Sequence, residues 1–313
     1  MSPPTVPDWH YSREVYIAAF QGYYRFLAEM YLDESTIMQP PASGWPSTTV
    51  GKVKALGKYE EVALLLRHLP YVRKGFEVVA NAQDGQFANW QELLAPDNIN
   101  TEWLLMETEG LDFQNEWPGY VIGLFHGGEF NPIIFLHTEQ GSVHWYECPE
   151  EFRHDRTQLG WVFPDELLDE ELQSHLHLDE REDSQDPGVE VTGENEGARE
   201  EEEYDEDEEE EKTDAEHVID GTPMWTVTNF FEMFKDQFRK LNWIPVSPER
   251  VISRYDQVFE DRETAEAVMA MARRIYHQHG WPDLQRCHKQ ECLGAIKEAM
   301  ETHFPDIDLS IRE

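Results

Sequence analysis

The stretch "IIFLHTEQGSVHWYEC", residues 133–148, sets His137 and His144 on either side of a glycine-centred turn. Two imidazoles facing each other across a hairpin are the kind of pair that ligates zinc or iron or moves protons. A two-residue loop at Gln140-Gly141, or a four-residue loop from Glu139 to Ser142, gives one register: Thr138 opposite Val143, His137 opposite His144, Leu136 opposite Trp145. Directly opposed residues hold their Cβ atoms about 5 Å apart, within reach of a shared metal. Two ligands do not make a site, and His126, Glu129 and Cys148 are the nearby candidates for a third. The pair is therefore read as a structural cross-strand contact. A metal-dependent hydrolase built on His126, His137 and His144 is kept as an alternative.

A second group with suitable residue types is "HQHGWPDLQRCHKQEC", containing His277, His279, Cys287, His288 and Cys292. Its spacing is wrong for zinc, because helical positions two or five apart point roughly 160–220° away from each other. His175 and His177 share that fault. "GKVKALGKY" (51–59) resembles a phosphate loop, but Gly51 and Gly57 are one residue too far apart. Tyr59 also stands where a magnesium-binding Ser or Thr is required. "GLFHGGEF" lacks dinucleotide-binding glycine spacing, and neither a nucleophile-elbow serine nor an HExxH helix occurs. These residues define no catalytic constellation, so no enzyme activity and no cofactor are expected.

The elements that position these groups come next. From Arg13 to Leu32 the apolar residues Tyr16, Phe20, Tyr23, Leu27 and Tyr31 recur every three or four positions, which predicts one helix. A second helix is predicted from about Val50 to Leu69, ended by Pro70. "FEVVANAQDGQF" reads as a β-rich run followed by an Asp84-Gly85 turn. "GYVIGLF", "PIIFLHT" and "SVHWYEC" read as neighbouring antiparallel strands, apolar enough on both faces to need helices over at least one of them. After residue 221, Trp225, Phe230, Phe231, Phe234, Phe238 and Leu241 follow helical spacing, and Ser247-Pro248 reads as a further helix start. Two helices follow, roughly Glu263–His279 and Leu284–His303, separated by Gly280 and Pro282. An aromatic helix at 225–241 must bury its rings, so it is expected on the N-terminal sheet.

The formal net charge of −39 is concentrated: residues 165–216 hold 26 acidic residues against 3 basic ones. Eleven of the twelve positions from 200 to 211 are acidic: Glu200, Glu201, Glu202, Glu203, Asp205, Glu206, Asp207, Glu208, Glu209, Glu210 and Glu211. Like charges at that density cannot be desolvated together, so a disordered tether is expected. Such a tract draws in basic partners by long-range attraction that salt weakens. The charge repels nucleic acid and anionic membranes, since no basic stripe neutralises phosphates. No apolar run approaches the roughly 18 residues of a membrane helix, and the start lacks the n- and h-regions of a secretory signal. Three cysteines, Cys148, Cys287 and Cys292, form no disulfide framework. A cytoplasmic or nuclear location is expected.

"GWPSTTVGKVKALGKYEEVALLLRHLPYV", followed by a strand pair turning at "LHTEQGSVHWYECPEEF", resembles the SUKH superfamily. That fold is shared by fungal cell-wall assembly and glucan-synthesis regulators and by bacterial toxin-immunity proteins. The resemblance covers about 45–160 and 222–303, and it extends to the segment "IYHQHGWPDLQRCHKQECLGAI". It implies an α+β fold with helices on a single antiparallel sheet, and a non-enzymatic role in binding a partner protein. Where the family is expected to carry a polar, often acidic residue before the turn, this chain has His137.

The combined expectation is one domain with an insertion: an N-terminal helix and proline-rich connector (1–44), the first part of the α+β domain (45–165), the acidic insertion (166–221), and a helical part that packs on the same domain (222–313). The expected function is a protein-interaction module, with an acidic chaperone for histone or ribosomal proteins as the alternative. Candidate contact residues are His137, His144, Trp145, Tyr146 and the acids from Glu200 to Glu211. Core packing is expected for at least one of Trp145 and Tyr146.

Overall fold

In the computed structural model, residues 10–80, 86–110, 117–127, 132–149, 152 and 222–309 are described. The acidic tract, His175, His177, the Asp84-Gly85 turn and Glu129 lie outside the described residues. The fold is mixed α+β. A four-stranded antiparallel sheet runs in the order β4 (Val121–Gly123), β6 (Ile134–His137), β7 (Ser142–Trp145), β8 (Met224–Thr226). Three two-stranded antiparallel ladders accompany it: β1 (Ile37–Met38) with β2 (Tyr71–Val72), β3 (Gln86–Phe87) with β5 (Phe125–His126), and β9 (Ile244–Pro245) with β10 (Val251–Ile252). Several small sheets thus stand where one was expected. Strands β4 and β5 divide at Leu124, which leaves β5 to pair away from the main sheet.

Helix α1 (Arg13–Met30) starts at Ser12, whose hydroxyl accepts a hydrogen bond from Val15 N. Its stripe is wider than the sequence pattern, since Tyr24, Phe26 and Met30 are buried along with Tyr16, Phe20, Tyr23 and Leu27. Helix α6 (Val227–Arg239) begins where the Thr226 hydroxyl accepts from Asn229 N. That cap leaves Trp225 outside the helix. It sits in β8 opposite Val143, 1% exposed, and the expected helix at 225–241 is shortened accordingly. Helix α1 and helix α6 pack through rings: Phe231 lies 4.8 Å from both Phe20 and Tyr23. On the sheet side, Phe234 meets Trp145 and Phe230 meets Trp225 at 6.0 and 6.1 Å.

The expected helix over 50–69 is two helices, α2 (Val50–Ala55) and α3 (Glu60–Leu66). Gly57, at φ +75°, takes the left-handed position that ends a helix, and Glu60 begins the next one. "FEVVA" forms no ladder. Its carbonyls are met by tyrosine hydroxyls, Tyr23 to Val78 O and Tyr31 to Glu77 O, and Glu77 N donates to Glu249 O. Ser247-Pro248 is a turn, not a helix start. The Ser247 hydroxyl accepts from Glu249 N and Arg250 N, closing the β9–β10 hairpin. Serine-proline suits a turn as well as a first helical position. Helix α7 (Arg262–Gln278) agrees closely with expectation, whereas α8 (Lys289–His303) starts five residues later than Leu284 because a turn occupies the interval. Two short helices, α4 (Trp90–Leu93) and α5 (Thr101–Glu109), were not expected; α5 packs on β4. No helix among the described residues is long and apolar enough to cross a membrane.

The contact between α5 and β4 depends on Gly123: a Cβ there would sit 2.0 Å from Thr108 O. Gly123→Ala is expected to lower stability by about 1–3 kcal/mol, as overpacking does. Gly51, in α2, has nothing within 4 Å of the place a Cβ would take, so Gly51→Ala is expected to raise stability by about 0.5–1 kcal/mol. Urea unfolding of the two variants checks both signs.

Candidate functional site

The β6–β7 hairpin carries the histidine pair in a register two residues away from the expected one. His137 faces Ser142 and Phe135 faces His144, around a Thr138–Gly141 loop. Gly141 is at φ +76°, and a Cβ on it would meet the His10 backbone at 2.7 Å, so the N-terminal segment crosses the turn there. A shift of two keeps each side chain on its original face of the sheet. The rings therefore still meet, diagonally, with centroids 5.7 Å apart.

Both histidines are interior. His137 is 4% exposed, its Nδ1 accepts from Gln140 N at 3.1 Å, and its ring stacks on Tyr120 at 4.5 Å. His144 is 1% exposed and lies parallel to Phe135 at 5.1 Å. Its Nε2 is 2.8 Å from Ser142 Oγ, and its Nδ1 is 3.0 Å from Thr222 Oγ1. The Ser142 hydroxyl also donates to Gln140 Oε1 at 3.2 Å, so Ser142 links the ring to the turn. Both ring nitrogens thus lie within hydrogen-bond distance of a hydroxyl.

The Ser142–His144 contact has the length of a nucleophile–base pair, but Ser142 is 0% exposed and the third group is a threonine hydroxyl in place of a carboxylate. What the arrangement does chemically is hold a polar ring in a dry place. The two histidines belong to a file of rings on this face: Trp117, Phe135, His144, His137, Tyr120 and, at the outer end, Tyr59, 54% exposed and 6.2 Å from Tyr120.

Among the described residues no three His, Cys, Asp or Glu side chains are grouped to hold a metal ion. The structure does not bring His126 to the pair: it lies on β5 against Trp103, ring centroids 6.3 Å apart. The C-terminal group is likewise dispersed into local contacts. His277 Nδ1 approaches Trp281 O at 3.3 Å and His279 Nδ1 approaches Ile275 O at 2.9 Å. Burial pushes the Cys292 thiol up to about 12 and the Cys287 thiol up as well, which disfavours the thiolate that zinc requires.

Of the candidate contact residues, His137, His144 and Trp145 are buried; Trp145 is 7% exposed between Phe152 and Phe234. Tyr146 is half-buried. The acids from Glu200 to Glu211 lie outside the described residues.

Two features escaped the sequence reading. The first is a buried ion pair, Lys58 Nζ to Glu109 Oε2 at 2.8 Å, each side chain 2% exposed. Burial raises the Glu109 carboxyl from its ordinary range, and the Lys58 ammonium opposes that rise. Among the described residues Glu109 Oε1 has no partner within hydrogen-bond distance, while the Gly123 backbone also favours the charged carboxyl. No sequence signal distinguishes Glu109 from its neighbour Glu107. The second is a set of outward aromatics, Tyr59, Trp103 and Tyr255, which are 54%, 48% and 55% exposed.

No protein-family model, curated protein or solved structure matches the chain.

Removing one partner of a buried pair strands the other charge. Lys58→Met is expected to cost about 3–5 kcal/mol, and Lys58→Met with Glu109→Leu to recover most of it. Equilibrium unfolding of the single and double variants measures the difference. His126 supplies a pH test. Burial holds its folded pKa below the ordinary value, with Lys74 acting the same way, so the unfolded chain binds a proton first as pH falls. Stability is expected to drop as pH decreases through about 6.5 towards the folded pKa. His126→Gln removes that part of the slope in urea melts between about pH 5 and 7.

Proposed function

We propose that the chain is a protein-interaction module without catalytic activity of its own, a cytoplasmic or nuclear scaffold of SUKH-like architecture. In this reading the four-stranded sheet is the family's central sheet, helices cover it, and the small ladders are additions at its margins. A part in signalling or cell-wall synthesis follows from the same resemblance. The observation that carries the proposal is the outward display of Tyr59, Trp103 and Tyr255, each about half exposed. Aromatic side chains of this kind supply large contact area at low entropic cost and are enriched at binding hot spots. The direction of the polar chemistry gives further support. The groups best suited to proton transfer, His144 and Ser142, are turned into the interior and hydrogen-bonded to each other.

A second reading has its own observation. The charge of −39 and the run of acids from Glu200 to Glu211 suit a chaperone that shields basic proteins, histone or ribosomal, with the tract as the active element.

Affinity capture from the source cell, at low and at moderate salt, tests both readings when run with the full chain and with a variant lacking residues 181–216. The module is expected to retain a stoichiometric protein partner in both forms and at both salts. Loss of all binding on deletion supports the chaperone instead. Turnover of a small molecule with no protein retained in any condition overturns both.

A further inference from the structure

Helix α5 turns Leu104, Leu105 and Thr108 into the core. Its other side presents Glu102 and Trp103, both exposed, with Met106 and Glu107 partly exposed one turn further on. Spacings of three and four place Met106 and Glu107 beside Trp103 on the helix surface. The indole is 48% exposed, and its ring contact among the described residues is edge-on, from His126 at 6.3 Å and 74°. About half of its surface is therefore open to solvent. The charged side chains of α5 on this face are both carboxylates, and Lys74, on the segment after β2, acts electrostatically on His126.

The occupant follows from charge. Outside residues 165–216 the chain still has a formal charge of −16 (−39 less −23), so a second copy is repelled and a basic segment attracted. Of the two cationic side chains, arginine fits better, because its planar guanidinium stacks on an aromatic face and forks onto a carboxylate at once. The protein already makes such a contact elsewhere: Arg254 Cζ lies 4.5 Å over the Tyr255 ring. That ring is occupied. Tyr59 is less suitable too, since it leans on Tyr120 beside the Lys54–Glu60 ion pair, whose charges cancel.

We propose that the outward face of α5 docks an arginine-bearing segment of a basic partner protein, with the guanidinium stacked on Trp103 and paired with Glu102 or Glu107, and an apolar neighbour over Met106. This inference rests on the reading of the chain as an interaction module and assigns that module its contact face.

Isothermal titration of the full-length chain at about 0.15 M salt with a synthetic peptide of repeated Gly-Arg-Leu triplets tests it, with Gly-Glu-Leu repeats as the control. The arginine peptide is expected to bind and the glutamate peptide not to. Trp103→Ala is expected to weaken binding at least roughly tenfold, as loss of an aromatic anchor does, with Trp103→Phe close to wild type. Glu102→Gln with Glu107→Gln is expected to weaken binding and flatten its salt dependence. Unchanged affinity in Trp103→Ala overturns the proposal by placing the peptide on the acidic tract or another surface, and the interaction-module reading survives that result. No binding of the arginine peptide also overturns it, as does self-association that Trp103→Ala abolishes. If Trp103→Ala fails to fold, hydrogen exchange in the wild type decides. Protection of Thr101–Glu109 amides by the arginine peptide supports the proposal, and its absence overturns it.

Discussion

Phe231 sits 4.8 Å from Phe20 and from Tyr23, and 6.1 Å from Phe87, so three separate segments of the chain are joined by one ring. Phe87 continues the contact to Phe125 at 4.7 Å on β5, and Phe234 continues it to Trp243 at 5.0 Å. Aromatic pairs of this geometry contribute about 0.5–1.5 kcal/mol each beyond the area they bury. Without them α6 would present four buried phenylalanines to water, and α1 would lose its longest apolar contact. The pairing of β7 with β8 is the backbone counterpart of that ring contact, because it ties the chain after residue 221 to the hairpin before it.

Around this core the polar groups of the interior are arranged to leave few unmet. The hydroxyls of Tyr16 and Tyr23 on α1 and of Tyr31 at its end reach the carbonyls of Ser142, Val78 and Glu77, the last two in a segment that forms no ladder. His144 does the same for two hydroxyls from different strands of the sheet and its approach, Ser142 and Thr222. A histidine in that role specifies one register, since sliding the hairpin by one residue would turn the ring to the opposite face. The Lys58–Glu109 pair is a costlier solution, because two charges leave water to meet each other.

The parts of this architecture that were legible in the sequence are those governed by periodicity. The stripe from Tyr16 to Leu27, the strands 134–137 and 142–145, and the helix from 262 to 278 all carry patterns that only one local structure satisfies. The failures have separate physical causes. Gly57 ends a helix in the middle of an unbroken apolar pattern, because a backbone angle overrides side-chain spacing. Trp225 fits the helical stripe of α6 and yet pairs in a strand, because the cap at Thr226 decides where the helix starts. The carbonyls of "FEVVA" are claimed by tyrosines over forty residues away in sequence, which local propensity cannot register. The outward set Tyr59, Trp103 and Tyr255 was illegible for a similar reason: exposure is decided by what packs beside a residue, and the spacing of a short helix such as α5 does not reveal it.

The two ends of the stretch 153–221 are fixed to the same strand. Phe152 lies 5.0 Å from Trp145, ring to ring, and Thr222 reaches His144 at 3.0 Å, both anchors being on β7. Trp145 and His144 are neighbours in sequence, so the two flanking residues share one short piece of backbone as their support. Any change that disturbs β7 therefore loosens both flanks of that stretch at once.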